Sequence, residues 1–126
     1  MASWEDVASI AAGLPQTTEP TPRTWRVGKK LLVWERPLRK ADLAALGASA
    51  ADGDILGARV SDEGVKFALI AEAPGVYFTT PHFDGYPSVL VRLAEIGIGD
   101  LEELITDAWL VQAPKKLVKE FLREHA

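Results

Sequence analysis

An α+β domain with a mostly antiparallel sheet is the fold this 126-residue sequence predicts, and three observations predict it. Apolar residues recur at helical spacing at both ends of the chain. Between them lie β-branched and aromatic runs broken by turn pairs, Gly28-Lys29 and Asp84-Gly85. With 48% apolar and 25% charged residues, the chain has the composition of one ordinary globular domain, residues 1–126, able to hide about two-thirds of the surface of its unfolded form.

Ser3, with Asp6 three residues on, opens the first helix. Val7, Ile10, Ala11 and Leu14 carry its apolar stripe until Gly13 and Pro15 end it. The run PQTTEPTPRT is rich in Pro and Thr and reads as a surface connection. TWRVGKKLLVWERP reads as a hairpin whose two-residue turn has Gly first. In that register Trp25 faces Leu32 and Val27 faces Lys30, so Trp25 and Trp34 share one side of the hairpin and are expected in the core.

Asp42, LAAL and Gly47 give one or two helical turns, GASAADGD a loop, and residues 55–60 a strand. Residues 62–73 fit either a strand or a helix begun by Ser61 or Asp62; the helix is preferred. VYFTT and SVLVRLAEI are strands, with Val89, Val91 and Leu93 alternating with Leu90 and Arg92. Asp100 and Glu103 open a helix whose stripe is Leu101, Leu104, Ile105, Ala108 and Trp109, opposite Glu102, Glu103 and Asp107. Pro114 starts a last helix with Leu117, Val118, Phe121 and Leu122 inward.

No apolar run approaches the ~20 residues of a spanning helix, and Glu5 and Asp6 stand where a signal peptide is basic. A cytoplasmic, monomeric protein is the expectation. The absence of cysteine excludes disulfides, thiolate metal sites and cysteine nucleophiles. Net charge is −4, yet Arg23, Arg26, Lys29, Lys30, Arg36, Arg39 and Lys40 face only Glu35 within one stretch. A basic block inside an acidic protein can attract an anion locally.

The stretch TTPHFDGYPSVLVRL sets His82, Asp84 and Tyr86 at alternate positions, followed by Arg92. Two histidines, one of them His125 beside the C-terminus, cannot supply three or four metal ligands. The serines lack a nucleophile elbow, and there is no Gly-rich phosphate loop or dinucleotide fingerprint. The stretch therefore reads as a turn closed by Asp84-Gly85 and stiffened by Pro81 and Pro87. A ligand pocket of His82, Asp84, Tyr86, Arg92 and Trp109 is the second reading. No catalytic set, metal or cofactor is expected.

That stretch, with LPQTTEPTPRTWRVGKKLLVWERPLRKADLAALG before it and TDAWLVQAPKKLVKEF after it, resembles the MmcQ/YjbR family of small bacterial proteins over nearly the entire chain. The resemblance implies an α+β fold compared with frataxin-like and double-wing domains, supports a helix over 62–73, and implies DNA binding; the want of a catalytic set makes a non-enzymatic domain the expectation. The residues suited to phosphate contact are Arg23, Arg26, Lys29, Lys30, Arg36 and Arg39 of the first hairpin region, joined by Lys115, Lys119 and Arg123, a basic stripe of the last helix. About six neutralised phosphates would give a log-affinity against log-salt slope of about −5. The other reading is a module for a protein or small-molecule partner, met by the acidic helix or the His82 pocket.

Overall fold

The structure, a computed structural model, describes residues 2–47 and 53–125. Most of the predicted loop at 47–54 lies outside the described residues. The described elements, in order, are α1 (Trp4–Ala12), β1 (Thr17–Thr21), β2 (Thr24–Val27), β3 (Lys30–Glu35), α2 (Lys40–Leu46), β4 (Ile55–Arg59), α3 (Glu63–Glu72), β5 (Tyr77–Phe78), a 3-10 turn (Pro81–Phe83), β6 (Ser88–Arg92), α4 (Ile98–Gln112) and α5 (Lys115–Glu124). The strands form one sheet in the order β1-β2-β3-β4-β6-β5, with every neighbouring pair antiparallel.

The starts of α1 and α3 are those the sequence predicts, whereas α4 begins at Ile98 with Gly97 as its cap, so that Asp100 falls inside its first turn instead of opening it. Ser3 and Asp6 make a reciprocal capping box on α1, each satisfying a backbone N–H of the other. The Asp62 carboxylate accepts from the Val65 N–H at 2.9 Å, which starts α3 and resolves the strand-or-helix ambiguity as a helix. In α4 the predicted stripe of Leu101, Leu104, Ile105, Ala108 and Trp109 is buried.

Period-two alternation splits the sheet's side chains between two cores. Leu56, Ala58, Val60, Tyr77, Val89, Val91 and Leu93 face α1 and α4, with Leu69 and Ile70 of α3 and Leu117, Val118 and Phe121 of α5 closing the margins. Ile55, Phe78 and Leu90 face the other way, where Leu46 of α2, Leu38, Trp34 and Phe83 cover them. Covering both faces explains why the central strands are apolar throughout.

Three further expectations need correction. PQTTEPTPRT contains β1, an edge strand. Thr17 and Thr18 pair with Val27 and Arg26, and Thr21 with Thr24, while Glu19 and Pro20 fall in the irregularity between. An edge bulge is where a strand tolerates proline, because no ladder donor is required there.

In the β2–β3 hairpin the Val27–Lys30 pairing is as expected, but Trp25 pairs with Val33 and not with Leu32. Leu32 is the extra residue of a β-bulge, and Leu32 and Val33 are both fully buried in the first core. The added residue inverts the parity of everything after it. Trp25 therefore packs in the first core and Trp34 against the second, on opposite faces of the sheet. Finally, Leu122 is exposed rather than inward.

Candidate nucleic-acid interface

The cations predicted for phosphate contact separate into two groups. Arg23, Arg26 and Arg36 are engaged in the fold, Arg26 through the Lys29 carbonyl. Arg23, in the turn between β1 and β2 at φ 57°, pairs with Glu35 at 2.8 Å and lies over the Trp4 ring at 5.0 Å. Arg36 is only 6% exposed and pairs with the equally buried Asp42 at 3.1 Å, with Phe83 under its guanidinium at 5.2 Å. Burial pushes the Asp42 carboxyl up. The Arg39 N–H bond at 2.9 Å and the Arg36 charge outweigh it and hold that carboxyl below its ordinary value of 3.8. The Thr80 hydroxyl stands beside this carboxylate without completing a hydrogen bond of good geometry. A buried, paired guanidinium is a structural strut, so Arg36 is removed from the nucleic-acid set.

The second group points to solvent. Lys29, Lys30, Arg39, Lys115, Lys119 and Arg123 are exposed, and among the described residues none of them has a carboxylate within ion-pair distance. Three of them converge. Lys29 and Lys30 at the hairpin tip and Lys115 at the start of α5 line one open groove of about 510 Å³, together with Val27, Gly28 and Ala113.

Local geometry fixes this convergence. Gly28 at φ 59° takes the left-handed position that a two-residue hairpin turn requires. The Arg26 guanidinium donates to the Lys29 carbonyl at 3.0 Å and clasps the tip. The Gln112 amide, at the end of α4, donates to the Leu31 carbonyl at 3.0 Å and ties the hairpin to the α4–α5 junction. Sequence reading missed Gln112, because only tertiary contact gives it meaning.

The stretch around His82 is an anchored turn. Asp84 at φ −59°, ψ 129° and Gly85 at φ 81°, with the Tyr86 N–H donating to the Phe83 carbonyl at 3.0 Å, make a turn of type II. Its anchor is Lys66, which is fully buried. The ammonium donates to the Phe83 carbonyl at 2.7 Å and the Tyr86 carbonyl at 3.1 Å. Burial lowers the Lys66 pKa, while Glu63 and Asp84 pull it back up.

The five residues grouped as a ligand pocket do not meet. His82 is exposed and edge-on to Phe83, and Tyr86 is 60% exposed. Arg92 lies over the Phe78 ring at 4.4 Å and donates to the Pro74 carbonyl. Trp109 is fully buried in the other core, its indole N–H donating to the Pro15 carbonyl at 2.9 Å. The sheet separates it from His82's neighbour Phe83, so the pocket reading is withdrawn. Among the described residues no three His, Asp or Glu side chains gather as a metal site, and no helix is long and apolar enough to cross a membrane.

In architecture the chain matches a DUF419 domain protein, DR2400 of Deinococcus radiodurans. Its crystal structure superposes with a TM-score of 0.67 over 98% of this chain and 88% of that one. At 21% identity the likeness is one of fold. The sequence is 70% identical over 125 residues to the uncharacterized proteins Rv2570 of Mycobacterium tuberculosis and Mb2600 of Mycobacterium bovis, covering 97% of this chain and of each relative. The chain belongs to the family that these mycobacterial proteins form. No family model matches it.

Proposed function

We propose that this chain is a non-enzymatic, cytoplasmic, monomeric domain that binds the phosphate backbone of DNA across the hairpin tip and α5, in keeping with its resemblance to MmcQ/YjbR proteins. One observation carries the reading: Lys29, Lys30 and Lys115 share a groove and have no carboxylate partner among the described residues. Ammonium groups without carboxylate partners can replace the counterions of a phosphate backbone, a gain that does not depend on base sequence. Lys119 and Arg123 continue the basic face along α5 at spacings of four.

With Arg23 and Arg36 tied into the fold, about four phosphates are neutralised, and the slope of log affinity against log salt becomes about −3.5. Fluorescence anisotropy of a labelled duplex, titrated at several salt concentrations, measures it. Replacing Lys29 and Lys30 by Glu should cost at least ~10-fold in affinity at low salt, and Lys115→Glu should add to the loss. A flat salt response, or a duplex affinity indifferent to these reversals, removes the hairpin from the function.

A further inference from the structure

A second groove, of about 380 Å³, runs between α3 and α4. Val60, Val65, Leu69, Leu104 and Leu110 give it an apolar lining, and Glu72, Asp100, Glu103 and Asp107 add carboxylates. Among the described residues none of the four carboxylates is in an ion pair. Tyr77, only 6% exposed, also lines the groove, and its hydroxyl makes no hydrogen bond among the described residues. The ring is enclosed while the hydroxyl stays open to the groove, so a ligand seated there can hydrogen-bond it. Burial raises its pKa, and the negative charges of Asp100, Glu72 and Glu103 raise it further, which places the ring in the field of the groove's carboxylates. Asp107 is exposed at the groove's rim, and the partial desolvation there raises its pKa.

We propose that the α3–α4 groove binds a small organic cation with an apolar body, of the alkylamine class, its ammonium held by Asp107 and Glu103 and accepted by the Tyr77 hydroxyl. Charge selects the class. An anion would meet four carboxylates, and a neutral apolar molecule would leave Asp107 desolvated without compensation. An ammonium relieves that cost and can donate to the Tyr77 hydroxyl that opens on the groove. Size argues for a small molecule over a docked helix, since the volume lies within the range of small-molecule sites. The site is separate from the basic groove; the two meet only at Val111 on α4.

The test is calorimetry and amide-shift mapping on the full chain with n-hexylammonium, n-hexanol, n-hexanoate and a basic amphipathic peptide. Hexylammonium should shift amides around Ser61, Leu69 and Asp107 and bind at least ~10-fold more tightly than hexanol or hexanoate. Asp107→Asn with Glu103→Gln should cost it ~10-fold, and Tyr77→Phe, which removes only the hydroxyl, about threefold. The proposal fails if hexanol binds equally well, if the carboxylate variants bind hexylammonium unchanged, if the shifts fall elsewhere, or if only the peptide binds.

Discussion

Lys66 shows how one residue converts a motif that looks chemical into one that is structural. Its ammonium is fully buried, and both its hydrogen bonds go to carbonyls of the turn that displays His82, Asp84 and Tyr86. Methionine has similar length and no donor, so Lys66→Met would leave the Phe83 and Tyr86 carbonyls short of a partner, at a cost of about 2–4 kcal/mol. Chemical denaturation at neutral pH reads this directly. The pH dependence gives a second check. Because burial lowers the folded-state pKa below 10.5, the unfolded chain holds more protons at this site between the folded value and 10.5. Stability contributed by Lys66 therefore rises with pH through that window, and the Met variant should lack the rise. Identical alkaline profiles for the two proteins would show that the ammonium is no more costly here than in the unfolded chain.

At the scale of elements, the β3–β4 pair depends on a missing side chain. Trp34 and Gly57 are Cα partners, and a Cβ on Gly57 would stand 2.4 to 2.8 Å from the indole atoms. Gly57→Ala should cost about 1–3 kcal/mol, because the ring must leave a seat among the second core's residues. In a double-mutant cycle with Trp34→Leu most of that cost should vanish, whereas undiminished loss would point to strain in the β4 backbone itself.

The same elements show what was legible in the sequence. The stripes of α1 and α4 and the Asp62 cap rest on local spacing, and each was readable from it. The Leu32 bulge was not, because it has no local chemical mark and yet reverses the side of every later residue in the strand. β1 was hidden by Pro20, whose tolerance depends on lying at the sheet's edge. Lys66 left a faint signal: it shares the i, i+3, i+4, i+7 stripe with Leu69, Ile70 and Ala73, the positions of α3 that face inward. Of the candidate interface, the basic hairpin was legible as charge. That Arg36 is spent on Asp42, and that Lys115 joins Lys29 and Lys30, depended on tertiary pairing that no spacing encodes.

Across the whole molecule, formal charge −4 is divided between a basic groove and an acidic one that adjoin at Val111. Long-range repulsion by the acidic wall should slow the approach of a polyanion without touching it, and salt decides how far that repulsion reaches. The Debye length is ~30 Å at ~0.01 M and ~8 Å at ~0.15 M. Neutralising Asp100, Glu103 and Asp107 to their amides brings the formal charge to −1. It should raise the association rate for a duplex several-fold at low salt and leave it nearly unchanged near physiological salt, with the dissociation rate constant throughout. Stopped-flow anisotropy separates the two rates. If instead the amides slow dissociation at high salt, the acidic wall touches the duplex, and the two grooves act as one surface rather than as two sites with opposite ligands.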